Sequence, residues 1–239
     1  MSKIIAVYGR PGSGKSTLAA NLSCALATKN QVVILASANL DYGGIQTFFG
    51  ESISEEQGIF AALADTAEQP QRMLTPCKNR ENIFLLGIPN KMTEPCMEEL
   101  YENRTKRLFQ QLQVCSDYIV IDCTGYLREP MTSLGLFLAD QILCTYTLSS
   151  ESGLWHQAMQ SFFERFHIKE LVKPVIGQWN IGCSMHEFLQ LYGLTDTVQL
   201  PAVEDAVVFQ NSGKLIYEMK SKEAKQYRAV MEQLAEEVQ

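Results

Sequence analysis

Eight consecutive residues, Gly9-Arg10-Pro11-Gly12-Ser13-Gly14-Lys15-Ser16, fit the phosphate-binding pattern G-x-x-x-x-G-K-[ST] in full. Each residue type in that pattern has a task. Gly9, Gly12 and Gly14 let the backbone come close to an anion, and the Lys15 ammonium can reach β- and γ-phosphates. The Ser16 hydroxyl can ligate Mg²⁺. Such a loop works only between a strand and a helix, and both are readable. Ile4-Ile5-Ala6-Val7-Tyr8 leads in as a buried strand, and Leu18, Leu22 and Leu26 recur every four residues behind the loop. A helix N-terminus there aims free N–H groups and a positive dipole end at one anion. The implied chemistry is the binding of a nucleoside triphosphate.

A bound triphosphate also needs carboxylates at the ends of neighbouring strands, to hold Mg²⁺ and orient water. Asp122 stands directly after the apolar run Tyr118-Ile119-Val120-Ile121, at what would be the ligand-binding edge of a sheet. It also opens Asp122-Cys123-Thr124-Gly125, in which the glycine amide could approach a γ-phosphate. Asp41 lies in Ala38-Asn39-Leu40-Asp41-Tyr42-Gly43-Gly44, after the run Val32-Val33-Ile34-Leu35. A carboxylate there could orient the attacking water or hold a metal-bound water, and the glycines permit a mobile switch. Asn39 can hydrogen-bond or ligate but cannot act as a base. Ser16, Asp41 and Asp122 are thus the candidate metal ligands. His156, His167 and His186 show no ligand spacing.

These residues need a scaffold, and the chain alternates short apolar strands with helical stretches throughout. Further strands are read at Ile83-Phe84-Leu85-Leu86, Ile142-Leu143-Cys144, Val175-Ile176 and Val198-Gln199-Leu200. Helices are expected over 94–114, 152–166 and 221–238, with shorter ones after Gly58, Pro130, Ser184 and Val203. This is the pattern of an α/β fold with a doubly wound, mostly parallel sheet and helices on both faces. No repeat, low-complexity tract or long linker interrupts it, so residues 1–239 are expected to form one domain. The last helix sets Ala224, Tyr227, Met231, Leu234 and Val238 on one stripe that packs on the sheet.

Composition narrows the function classes. With 46% hydrophobic residues the chain can build a large core, and its net charge of −7 argues against nonspecific nucleic-acid binding. No apolar stretch approaches the ~20 residues that cross a bilayer. The first strand begins at once, leaving no room for a signal peptide. Seven cysteines without a CxxC pair read as reduced thiols, so a cytoplasmic protein is expected. Glu232, Glu236 and Glu237 close the chain and would be repelled by anionic lipid, so no direct membrane anchor is expected in the tail. Guanine-reading Asn-Lys-x-Asp is absent, since Asn90-Lys91-Met92-Thr93 lacks the Asp, and ATP is favoured over GTP.

In this order the motifs resemble the MinD/ParA group of P-loop ATPases over nearly the whole chain. The loop from Gly9 through Thr17 and the following Asn21-Leu22 fall in register, and Asn39-Leu40-Asp41 stands where the group has Asp-x-Asp. The run from Asp117 to Asp122 matches its Walker B strand. Asn180 stands where the group reads the adenine edge, and Pro201 opens the adenine-side loop. The tail from Asn211-Ser212-Gly213-Lys214 through Tyr227 also has the group's look. The resemblance implies ATP and Mg²⁺ as cofactors, held by Gly9 to Thr17, Gly125, Asn180 and Pro201. It implies slow hydrolysis using Lys15, Asp41, Asp122 and Arg10, and an ATP-dependent homodimer that positions or assembles a cellular structure with a protein partner. Leu40-Asp41-Tyr42-Gly43-Gly44 and Phe48-Phe49-Gly50 are similar to the pilus-associated CpaE/TadZ-like branch, which implies pilus or secretion machinery.

Two departures from the group stand out. Arg10 replaces the lysine that reaches across the dimer, and arginine can still bind phosphate bidentately. Asn39 replaces the first Asp and removes one charge. Other readings stay open beside the switch. One is a phosphotransferase, either a small-molecule kinase with Arg104, Lys106 and Arg107 as a lid or a relative of bacterial tyrosine kinases. The other is a nucleotide-bound scaffold with little turnover.

Overall fold

The central strands are built from residues that tolerate burial on both faces. From Ile4 to Gly9 and from Tyr118 to Asp122 every residue is buried, as parallel strands covered by helices require. The computed structural model describes residues 2–28, 30–64, 69–91, 102–177 and 182–238. In chain order the elements are β1 (Lys3–Gly9), α1 (Lys15–Ala27), β2 (Val33–Ser37), α2 (Ile59–Leu63), β3 (Thr75–Pro76) and β4 (Ile83–Leu86). Then come α3 (Glu102–Leu112), β5 (Tyr118–Asp122), α4 (Pro130–Leu138), β6 (Gln141–Thr147) and α5 (Ser150–Arg165). β7 (Val172–Gly177), α6 (Met185–Tyr192), β8 (Val198–Leu200), α7 (Ala206–Asn211) and α8 (Lys222–Glu237) complete the chain.

Among the described residues one eight-stranded sheet forms, in the order β3-β4-β2-β5-β1-β6-β7-β8. All neighbours are parallel except β3 and β4. Alternation along β1 sorts the core into two layers. Ile4, Ala6 and Tyr8 pack with Phe109, Met131 and Phe163 under α3, α4 and α5. Ile5 and Val7 face the other way, toward Leu18, Leu22 and Leu26 of α1 and Tyr227 and Met231 of α8. The expected stripe of α8 is buried in full, from Ala224 to Val238. Asn21 ties α1 to the segment before α8, its Nδ2 donating to Thr17 O (2.8 Å) within α1 and its Oδ1 accepting from Tyr217 N (2.9 Å).

The doubly wound, mostly parallel sheet matches the expectation, with differences of detail that include a longer β6, Gln141–Thr147 against the expected Ile142–Cys144. β3 is a two-residue antiparallel edge strand, too short to leave a pattern, and its Pro76 suits an edge because it has no N–H to pair. β7 starts three residues earlier than expected, because Lys173 and Pro174 hide the strand that β6 pairs with. Of the helix expected over 94–114, residues 94–101 lie outside the described residues, and Glu102–Leu112 is helical. Cys24, Cys77, Cys123 and Cys144 are free and buried, Cys183 is half-buried and Cys115 exposed. Cys96 lies outside the described residues.

Leu22 is fully buried between the sheet and α8, so shortening it opens a void under the helix that carries the loop. Leu22→Ala is expected to cost about 2–5 kcal/mol of stability, read from urea unfolding with an unchanged m-value.

Candidate nucleotide site

Strand register brings the predicted residues to one edge. Val7 of β1 and Ser37 of β2 are both level with Asp122 of β5, and Gly9 is level with Thr145 of β6. β1 sits where the strand order reverses, the place where open α/β sheets bind ligands at their carboxyl ends. Leaving β1, the chain turns through Gly12 (φ 77°) and Gly14 (φ 89°), both left-handed, and enters α1 at Lys15. Gly9 is needed for space. A Cβ there would collide with Thr145 Oγ1 and lie 2.7 Å from Ser13 Oγ.

Inside the loop the Arg10 carbonyl is a hub. It accepts from Ser13 N (3.2 Å), Ser13 Oγ (2.8 Å) and Lys15 Nζ (2.9 Å). The Ser13 hydroxyl is fully buried and also lies 2.6 Å from Thr145 Oγ1, so its side chain locks the loop to β6 and only its backbone remains for an anion. On the outer side, Pro11 packs on Gly125, where a Cβ would come within 2.7 Å of Pro11 Cδ. Gly125 is held in turn by α4. Glu129 caps that helix, accepting from Met131 N and Thr132 N, and the Thr132 hydroxyl accepts from Thr124 N at 2.9 Å.

Lys15, Ser16, Asp41, Asp122 and Gly125 all line one cavity of about 560 Å³, together with Pro11 and Gly12. Asp122 is buried. Its Oδ1 has no hydrogen-bond partner among the described residues, while the Ser16 hydroxyl hydrogen-bonds the carboxylate. Burial pushes the Asp122 pKa up from its usual 3.8 to about 6, against the opposing pull of Ser16 and the Lys15 charge. Burial also lowers Lys15, with Asp122 acting in the opposite direction. A hydroxyl and a carboxylate oxygen without a partner are the donor set that suits Mg²⁺. Asp41 is exposed at the rim. Asn39 is occupied with holding it, because Asn39 Oδ1 accepts from Asp41 N at 2.9 Å.

A second cavity, of about 380 Å³, opens on the other side of the loop between Gly14, Thr17 and Pro201. Asn180 lies outside the described residues. Arg10 lines neither cavity. Its Nη1 donates to Pro11 O at 3.0 Å and pairs with Glu151 of α5 at 3.1 Å. Sequence reasoning missed Thr145 and Glu151, whose contacts span 132 and 141 positions and leave no local pattern, and also Glu129 and Thr132, whose contacts are local and could have been found from the Glu-Pro cap of α4. Ser37, which lines the first cavity, could have been found from its place at the carboxyl end of a strand. Away from the site, His156 is a hydrogen-bonded core residue on Tyr146 and Gln160, and His167 and His186 are exposed. Lys106 and Arg107 are exposed on α3, which packs on α2 and α4.

A family model described as an AAA domain matches residues 2–169. The septum site-determining protein MinD of Thermotoga maritima is 30% identical over 122 residues, covering 50% of this chain and 42% of that protein. The chain thus spans less than half the length of the curated relatives it matches. A ParA family ATPase from Chlorobium tepidum shares the fold with a TM-score of 0.80 at 18% identity, over 98% of both chains. So does MinD from Pyrococcus horikoshii, solved in complex with Mg-ADP, with a TM-score of 0.79 at 16% identity over 98% of this chain and 96% of that one.

Because the folded state holds the Asp122 proton more tightly than the unfolded chain, this group's share of stability is intact below about pH 4 and is lost as pH rises through about 6. Asp122→Asn is therefore expected to gain stability relative to the parent over that range, on the order of 2 kcal/mol. Paired melts from about pH 4 to about pH 7, without nucleotide or metal, check this, and a pH-independent difference would contradict it.

Proposed function

The chain belongs to the AAA domain family, in the MinD/ParA group of P-loop ATPases, and on that basis we propose that it is an ATP-dependent dimerising switch with slow hydrolysis. It acts as one domain over residues 1–239, in the cytoplasm, in the positioning or assembly of a cellular structure. The observation that carries this reading is the convergence of Lys15, Ser16 and the buried Asp122, with its unpartnered oxygen, on one cavity beside Asp41 and Gly125.

In this reading the loop amides and Lys15 bind the β- and γ-phosphates, and the Gly125 amide approaches the γ-phosphate. Ser16 and Asp122 hold Mg²⁺, which when bound neutralises charge on the transferring phosphate. Asp41 orients the attacking water from the rim. Thr17 and Pro201 flank the base. The Mg-ADP in the Pyrococcus horikoshii relative supports the choice of cofactors.

Arg10 supplies the link between subunits. The Arg10 side chain is only 20% exposed, but its partner Glu151 is 74% exposed and easily given up to water, so the guanidinium can exchange it for phosphate oxygens of a second copy. Such an exchange offsets the repulsion of two chains of net charge −7. A protein partner reads the dimer, and the similarity around Asp41 and Phe48 favours pilus or secretion machinery. α8 buries its apolar stripe on the core and turns Glu232, Glu236 and Glu237 to solvent, which supports a role without direct membrane anchoring by that helix. Among the described residues no helix is long and apolar enough to cross a membrane.

Asp41→Ala is expected to slow phosphate release at least about tenfold while ATP affinity changes less than about threefold. Parent-like release would remove Asp41 from the water-orienting role. With a non-hydrolysable ATP analogue and Mg²⁺, sedimentation should show the parent as a dimer and Arg10→Ala as a monomer that still binds nucleotide, with Arg10→Lys in between. A parent that stays monomeric at high concentration would overturn the switch.

A further inference from the structure

Two of the residues that line the second cavity carry a buried polar atom that has no partner among the described residues and that the proposed chemistry does not use. The cavity is walled by apolar surface from Val203, Ala206 and Ile216. Tyr227 of α8 and Gln210 of α7 also line it. Tyr227 is 1% exposed, yet its hydroxyl has no hydrogen-bond partner among the described residues. The Gln210 side-chain Nε2 is likewise buried and unpartnered there. A phenylalanine would fill the stripe of α8 as well as Tyr227 does, so packing alone does not account for the hydroxyl. Buried polar groups are nearly always matched, and two unmatched ones on residues that line the same cavity point to a ligand that supplies their partners.

The place of the cavity says which part of a ligand this is. Gly14 and Thr17 border it, while Lys15 and Ser16, the residues between them, line the phosphate cavity. A nucleotide with its phosphates on Lys15 and Ser16 extends its other end past Thr17. Apolar walls with a few polar groups suit a flat heterocycle. Gln210 Nε2 can only donate, which a ring nitrogen accepts, and the Tyr227 hydroxyl can both donate and accept. Together they match the edge of a purine, which offers ring-nitrogen acceptors and, in adenine, an amine donor.

We infer that Tyr227 and Gln210 are base-binding residues that hydrogen-bond the heterocycle of the bound nucleotide. The inference rests on the nucleotide-site reading above and adds residues from α7 and α8 to it.

The test uses Tyr227→Phe and Gln210→Leu in the full chain, with ATP and inorganic tripolyphosphate as probes in the presence of Mg²⁺. Each variant removes an unmatched buried group, so without ligand it should melt at or above the parent temperature. Tripolyphosphate should bind the variants as it binds the parent, whereas ATP affinity should fall about threefold to tenfold in each. Parent-like ATP affinity in both variants would overturn the inference. So would a loss of both ligands with a lowered melting temperature, which would mark a packing role. A parent that binds tripolyphosphate as tightly as ATP would show that the cavity holds no base and leave the phosphate site standing. A parent that binds neither overturns the nucleotide reading, and the inference with it.

Discussion

A carboxylate taken out of water beside an ammonium is the constraint around which the carboxyl edge of the sheet is arranged. Asp122 is level with Val7 and Ser37, so its position is fixed by two strand pairings at once. Lys15 and Ser16 come to it from α1, whose start is fixed by Gly14 in a left-handed conformation. Neither charge is comfortable there: burial raises one pKa and lowers the other, and their mutual attraction only partly opposes this. A site of this kind is strained toward accepting a ligand that brings both anionic oxygen for the ammonium and a cation for the carboxylate. A metal–triphosphate complex is both.

The surrounding contacts keep that arrangement from relaxing. Thr145 holds the loop through Ser13, and Pro11 rests on Gly125. Gly125 in turn sits in a turn fastened to α4 by Thr124 and Thr132. The two flanks of the loop are therefore tied to β6 on one side and to α4 on the other. A rigid cradle binds a charged ligand more strongly than a soft one, because less ordering remains to be done on binding.

What could be read from sequence was what is local. The loop, the strand ending in Asp122 and the stripe of α8 each occupy a short window with its own period or pattern, and all three fold as their patterns require. The sheet could be read for the same reason, except where Lys173 and Pro174 break the apolar run of β7 or where β3 is only two residues long. Pairings between distant side chains could not be read. Nothing in the neighbourhood of Arg10 announces Glu151, and nothing near Ser13 announces Thr145, since both follow from how β6 and α5 lie against β1. Tyr227 was legible as core but not as a hydroxyl without a partner, because a helical stripe records hydrophobicity and not hydrogen bonding.

The attachment of α1 to the tail has a consequence for how the molecule comes into being. The helix that presents Lys15 is sealed by α8 and by the bond from Tyr217 N to Asn21 Oδ1, across 196 positions of sequence, and Lys3 Nζ reaches Val238 O across 235. During synthesis the loop stays without its cover until α8 has left the ribosome. Closing so long a span is a slow step, because the entropy of the intervening chain must be lost before the contact rewards it. The phosphate cradle is thus completed only after segments 196 positions apart have met, well after the loop itself is made.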